Sequence, residues 1–248
     1  MLKNKTICVI LPAYNAALTL EKTYREIPFD IVDEVILVDD HSTDETISVA
    51  KALGIKHIIT HDKNFGYGGN QKSCYNKALE LGTDLIIMLH PDYQYTPKLI
   101  ESMAYLIVNE VYSIVLASRI LGKGARKGGM PLYKYIANRC LTLFQNIIMN
   151  QKLTEYHTGY RAFSSKVIQK INFMANSNDF VFDNQILAQI FNAGYEIAEV
   201  TCPTKYFKEA SSIDFSRSVK YGFGVLKTAI QYRLQKWKLR NYSIFSTH

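Results

Sequence analysis

The feature that most constrains this chain is a series of short, continuously apolar runs. "TICVIL", "DEVILVD", "DLIIML" and "YSIVLAS" are apolar at nearly every position. A strand with one wet face alternates polar and apolar residues. These runs do not alternate, so both of their faces are buried. "KHIIT" reads as a further strand. Between them, "LTLEKTYREI", "STDETISVAKAL", "GGNQKSCYNKALEL" and "PKLIESMAYLIV" read as helices. Ser42, with Glu45 three residues on, predicts a capping box at the second of these. Strands alternating with helices predict an α/β fold, a mostly parallel sheet covered by helices on both faces.

Length and composition fit that reading. The 248 residues suffice for one large domain or two small ones. There is no internal repeat and no low-complexity linker, so one domain with a C-terminal extension is expected. No run of 18 apolar residues occurs, and no membrane-spanning helix is expected. "MLKNKTICVILPAYN" has the lysines and apolar stretch of a signal peptide. Its apolar run is short, β-branched and broken at Pro12, which predicts a first strand instead. Cys8, Cys74, Cys140 and Cys202 form no CxxC pair. Reduced thiols in a cytoplasmic protein are expected, rather than disulfides or zinc.

Parallel sheets of this kind bind ligands at the carboxyl ends of their strands. Pro12, Tyr14 and Asn15 follow the first strand, and Asp39 and Asp40 end the second. Asn64 and Gly66 follow the third, His90 and Asp92 the fourth, and Ser118 and Arg119 end the fifth. An acid at Asp39 or Asp40 can cap the next helix or accept from a base or ribose. "NFGYGGNQKS" can cradle a phosphate or be a packing turn; it is neither a P-loop nor GxGxxG. His90, Asp92 and Gln94 alternate, which puts them on one side of an extended segment. That set suits a divalent ion completed by phosphate and water, or simply a polar loop. Arg119, Arg126, Lys127 and Lys134 suit phosphate or a solvated basic surface.

The second half is less regular. "GKGARKGGMP" reads as a basic loop and "LYKYIANRCLTLFQNIIM" as a long helix. "TEYHTGYRAFSS" is polar and aromatic, and "FVFDNQILAQIFNAGYEIAEV" reads as a helix, a turn at Gly194 and a strand. From Pro203 to His248 there are nine Lys/Arg and two acids, a surplus equal to the formal net charge of +7. In "SVKYGFGVLKTAIQYRLQKWKLR" an apolar helical stripe runs through Val219, Phe223, Leu226, Ile230, Leu234 and Trp237. Two roles are open to that stripe. It can lie on an anionic membrane, or pack on the core or a partner subunit. Acids at the strand ends oppose a phosphate-tracking surface, so nucleic acid is not an expected partner.

Taken together, "LPAYNA", "VILVDDHSTDET", "NFGYGGNQKSCYNKAL", "HPDYQYTP", "ASR" and "EYHTGYRAF" resemble, in order and spacing, the family-two inverting glycosyltransferases of GT-A fold. Among these the chain is most similar to dolichyl- and polyprenyl-phosphate sugar transferases. The resemblance spans roughly residues 5 to 210. It implies a glycosyltransferase domain over 1–210 and a basic amphipathic extension over 211–248. It further implies a sugar moved from a nucleotide sugar to a lipid-phosphate or glycan acceptor, with magnesium or manganese, at the cytoplasmic face of a membrane. By the same resemblance, Pro12, Ala13, Tyr14, Val38, Asp39 and Asp40 line the nucleoside pocket, with Asn64 and Gly66 beside it. Asp92, His90 and Gln94 fall on the metal motif, and Arg119, Lys134 and Asn138 on phosphate-binding positions.

The chain departs from the usual strings at several places. Lys134 and Asn138 stand where arginine and serine are usual, Ala16 where a glutamate often stands, and His41 where glycine is usual. Asp183 and Glu155 are the candidate bases, with Asp183 favoured by its place before a helix. Three roles are open to His90: metal ligand, donor to the diphosphate, or spacer. A non-catalytic nucleotide-sugar-binding partner with an altered metal motif is the alternative reading.

Overall fold

Strands with two apolar faces need cover on both sides, and the sheet is built around that need. The computed structural model describes residues 2–206 and 215–246. Strand β1 (Ile7–Ala13) is buried along its whole length. Cys8 and Ile10 face one core layer, while Ile7, Val9 and Leu11 face the other. β1 pairs in parallel with β2 (Glu34–Asp39) and β4 (Leu85–Met88), and β3 (His57–Thr60) flanks β2. With β5 (Ile114–Ser118), β6 (Arg161–Ser164) and β7 (Ala198–Thr201), the order is β3-β2-β1-β4-β6-β5-β7. The N-terminal apolar run is therefore a central strand.

Helices α1 (Ala17–Arg25), α2 (Thr46–Ala52) and α4 (Ile100–Val108) cover one face. Helices α3 (Tyr67–Glu80), α7 (Ser165–Lys170) and α8 (Phe182–Asn192) contribute to the other. A short helix, α5 (Gly124–Lys127), occupies the basic loop, and α6 (Leu132–Met149) is the long helix expected there. The turn before β7 comes at Gly194, with φ of 85°.

One local reading is corrected. The capping box does not form, because α2 begins at Thr46 and Asp44 accepts from the Thr46 N–H at 3.0 Å. Ser42 instead bonds back to Asp39 and to the Asn15 N–H, tying the ends of β2 and β1 together. A strand that the sequence pattern did not mark, β6, lies antiparallel between β4 and β5. Its first residue, Arg161, pairs with Met88 and Leu116 near the carboxyl ends of their strands. Reversed direction thus delivers residues 155–160, which precede β6, to the ligand-binding end of the sheet.

The C-terminal helix α9 (Phe215–Lys236) packs against α6 and α8. It buries Val225, Thr228, Ala229 and Tyr232. The apolar stripe read from the sequence is not its buried face: Val219, Phe223, Ile230 and Trp237 are exposed, Phe223 at 70%. Residues 211–214 and 247–248 of the expected extension lie outside the described residues. Among the described residues, no helix is long and apolar enough to cross a membrane. The four cysteines are unpaired thiols, and only Cys140 is exposed.

The two faces of α9 respond differently to substitution. Ala229→Asp, which buries an unpaired carboxylate, should cost about 3 kcal/mol or more in urea unfolding. Phe223→Ser should change stability by less than about 0.5 kcal/mol. The reverse ranking would show that the helix is turned the other way.

Candidate active site

An open cavity of about 1310 Å³ lies across the carboxyl ends of the strands. Pro12, Ala13 and Tyr14 reach it from the end of β1, and Asp40 from the residue after β2. Asp40 is buried and serves the next loop. It accepts from the N–H groups of Phe65 and Gly66 at 2.8 and 2.9 Å, and from His61 Nδ1 at 2.7 Å. Gly66 has φ of 83°, a conformation that favours glycine. A Cβ there would also sit 2.7 Å from the Asn178 carbonyl. Asn64 donates to the Asp40 carbonyl at 3.2 Å. "NFGYGGNQKS" is therefore a packing turn: the first N–H groups of α3, those of Gly68 and Gly69, are taken by the Asn178 carbonyl.

Val38 and Asp39 do not line the cavity. Val38 points into the core, and the Asp39 carboxylate accepts from Ser42. The ends of β1 and β2 are instead bridged by Asn70, whose side chain donates to the Ala13 and Val38 carbonyls. His41 has φ of 66°. A left-handed backbone there suits glycine best, and histidine is among the residues that tolerate it.

His90, Asp92 and Gln94 all reach the cavity, as expected. Asp92 Oδ1 accepts from the Gln94 N–H at 3.1 Å, an Asx turn that holds the loop. The Gln94 carbonyl accepts from the Lys205 N–H, pinning the loop to the segment after β7. His90 Nε2 lies 3.0 Å from the Tyr67 hydroxyl, and that hydroxyl donates to Asp183 Oδ2 at 2.6 Å. Burial pushes the His90 ring below its ordinary value, against the pull of Asp92 and Asp183. Among the described residues, no group of three or more His, Cys, Asp or Glu could hold a metal alone. The donor set of one carboxylate and one imidazole, facing a cavity, fits a divalent ion that takes its remaining ligands from phosphate and water.

The two candidate bases are both engaged. Asp183 sits in the first turn of α8. It accepts from Tyr67 and from Gln71 Nε2 at 3.0 Å, and faces Arg161 at 3.5 Å. Glu155 is fully buried and does not line the cavity. It accepts from the Arg119 backbone and guanidinium and from Asn138 Nδ2. Burial alone would raise the Glu155 carboxyl, but Arg119 outweighs it and holds the group below its ordinary value. Glu155 is thus a counter-ion for Arg119 and cannot serve as the base. Arg119 also donates to the Tyr206 hydroxyl and the His157 carbonyl, and its side chain still lines the cavity. Lys134 and Asn138 line it from α6, and burial followed by the Arg119 charge pushes the Lys134 amine down.

Several cavity residues escaped the sequence reading. Tyr67, Tyr95, His157, Tyr206 and Tyr221 all line it. His157 Nδ1 meets the Tyr221 hydroxyl of α9 at 2.7 Å, while Nε2 is buried without a partner among the described residues. Arg217 and Lys220 also reach the cavity from α9. Tyr67 and Tyr95 stand in the quoted stretches "NFGYGGNQKS" and "HPDYQYTP", and His157 in "TEYHTGYR", but an aromatic or histidine there carries no mark of its own; Tyr206 follows β7, and Tyr221, Arg217 and Lys220 lie on a helix whose packing partners were unknown.

The model of the glycosyl transferase family 2 matches residues 8–172. The UDP-N-acetylglucosamine--dolichyl-phosphate N-acetylglucosaminyltransferase of Methanococcus voltae is 25% identical, over 94% of this chain and 98% of its own. The polyprenol monophosphomannose synthase of Mycolicibacterium smegmatis is 21% identical, over 77% of this chain and 74% of its own. Among solved structures, glucosyl-3-phosphoglycerate synthase from Mycobacterium tuberculosis, in complex with Mn2+, UDP and glucosyl-3-phosphoglycerate, superposes with a TM-score of 0.69. It is 19% identical and covers 92% of this chain and 80% of its own, a likeness of fold.

Burial pushes the His157 ring down to about 4, with the Arg119 and Arg161 charges adding to it and Glu155 opposing. The unfolded ring titrates near 6.5, so between those values the unfolded state binds more protons. Stability is then present above about pH 6.5 and is lost as pH falls towards 4. His90 contributes in the same direction. The loss across this window should be smaller by about 2 kcal/mol in His157→Gln than in the parent protein. Parallel urea titrations at several pH values give this difference, and identical slopes would refute the assignment.

Proposed function

The chain belongs to glycosyl transferase family 2, and from that premise we propose that it is an inverting transferase which moves a sugar from a nucleoside-diphosphate sugar onto a lipid phosphate. One observation carries the choice of acceptor. α6 and α9 both line the cavity, and neither helix contains an acidic residue. Tyr133 and Val219, at its rim, are both cavity-lining and exposed. Leu143 and Ile147 on α6 and Phe223 and Ile230 on α9 are exposed as well. Basic groups beside exposed apolar ones suit an anionic headgroup with a hydrocarbon tail, and a helix pair of this kind can rest on an anionic membrane. The names of the relatives from M. voltae and M. smegmatis agree with such an acceptor.

The nucleoside end is formed by Pro12, Ala13, Tyr14 and Asp40, with Asn64 and Gly66 as its second wall. Asp92 and His90 would hold the divalent ion, beside Gln94. Such an ion neutralises the charge that grows on the leaving diphosphate. Arg119 and Lys134 add fixed positive charge on the same side, and this charge is set in place before the reaction. The transition state resembles an oxocarbenium ion at C1, as in glycoside hydrolysis. Inversion requires the acceptor oxygen on the opposite face of the sugar. A phosphate oxygen is already ionised, so no base is required. That fits a site in which Asp183 and Glu155 are both occupied in holding other residues.

The test offers labelled nucleotide sugars with polyprenyl phosphate in liposomes, with Mg2+ or Mn2+. Sugar should appear in the lipid fraction, and Asp92→Asn should reduce transfer by about 100-fold or more. Nucleotide-sugar binding without transfer to any acceptor would favour a non-catalytic binding partner. Transfer only to water-soluble phosphates would overturn the lipid reading. Full activity in Asp92→Asn would remove the metal site.

A further inference from the structure

We infer that Tyr67 is a positioning residue that fixes the ring proton of His90 on Nε2 and leaves the Nδ1 lone pair to ligate a divalent ion. The inference deepens the proposed function, on which the ion itself rests. It begins with hydrogen counting. The Tyr67 hydroxyl has one proton and two close neighbours, Asp183 Oδ2 at 2.6 Å and His90 Nε2 at 3.0 Å. A carboxylate can only accept. Asp183 also accepts from the Gln71 amide at 3.0 Å and faces the Arg161 guanidinium at 3.5 Å. The hydroxyl proton therefore goes to Asp183. The phenol oxygen is then an acceptor, and the contact with His90 is a hydrogen bond only if Nε2 carries the proton.

The surroundings leave the ring little freedom to escape this arrangement. Tyr67 is stacked on His90 with centroids 5.4 Å apart and lies 4.8 Å from Phe180 on its other contact. Gly159 packs beneath the imidazole. A Cβ there would lie 2.7 Å from both His90 Cδ2 and Nε2, so the glycine of "HTGYR" makes room for the ring. A neutral imidazole has one donor and one acceptor nitrogen, and the partner of one decides the role of the other. With Nε2–H committed to Tyr67, His90 has no second N–H to offer a diphosphate. Of the three roles open to it, the lone pair at Nδ1 supports ligation.

The test has a spectroscopic arm and a metal-binding arm, both on the full chain. In metal-free, 15N-labelled protein, long-range 1H–15N correlation spectra distinguish the two tautomers, and His90→Gln assigns the signals. His90 should show the Nε2–H pattern, and Tyr67→Phe should convert it to a mixture. Tyr67→Phe keeps the ring and its packing, and an unchanged melting temperature would confirm that it folds. Mn2+ binding in the presence of UDP, followed by electron paramagnetic resonance, should weaken about 10-fold in Tyr67→Phe. In a His90→Asp background the same substitution should have little effect, because an aspartate has no tautomer to fix. An Nδ1–H pattern in the parent protein, or one unchanged by Tyr67→Phe, would overturn the inference. Equal weakening in the His90→Asp background would overturn it too. If the parent protein binds no Mn2+ at all, the ion and its ligation fall together, while the spectra decide the tautomer alone.

Discussion

The centre of this molecule depends on a guanidinium that has no contact with water. Arg161 is 0% exposed, in a strand flanked by two others. Such a group is tolerable only if its N–H groups find acceptors inside the protein. The carbonyls of Thr158, Asp183 and Tyr156 supply them at 2.7–3.1 Å, and the Asp183 carboxylate supplies the opposite charge. Breaking a buried pair of this kind costs about 3–5 kcal/mol. Arg161 thereby curls the segment before β6 around itself and fastens it to the first turn of α8. Asp183, so placed, holds Tyr67 and Gln71 of α3, and Tyr67 reaches His90 after β4. A single cation links four elements of the cavity floor.

The acids follow a common pattern. Asp40 organises the loop of Asn64 to Gly66, Glu155 orients Arg119 and Asn138, and Asp183 orients Tyr67. Each uses its charge to position a neighbour. Basic groups at the cavity, including Arg119 and Lys134, face the space where a diphosphate would lie. Fixed cations, with Glu155 withdrawn behind Arg119 and Asp40 and Asp183 occupied by hydrogen bonds, suit a reaction in which negative charge accumulates on the leaving group. They suit proton abstraction much less well.

Much of this was legible in the sequence, for physical reasons. Short, β-branched, continuously apolar runs in β1, β2, β4 and β5 read as strands covered on both faces, and in parallel sheets their ends locate the cavity. Pro12, Tyr14, Asp40, His90, Asp92 and Arg119 were found that way. β6 was not, because four residues beginning with an arginine carry no strand pattern. Its arginine is buried for its hydrogen bonds, which hydropathy does not register. Glu155 was misjudged because an acid in a polar segment gives no sign that an arginine 36 residues earlier will claim it. Val38 and Asp39 sit in the right motif but do not line the cavity, because Val38 packs into the core and the Asp39 carboxylate is taken by Ser42. The stripe on α9 was visible as a stripe. Which face of α9 is buried depends on α6 and α8, and local periodicity contains nothing about them.

The central claim is that the cavity at the strand ends holds a nucleoside diphosphate and a divalent ion at Asp92. Anomalous diffraction at the manganese edge, from crystals grown with Mn2+ and UDP, measures this directly. The expected result is one strong peak about 2.1 Å from an Asp92 carboxylate oxygen, with the diphosphate beside it and the uracil between Pro12 and Asp40. A manganese peak away from Asp92, or UDP bound outside the cavity, would contradict it.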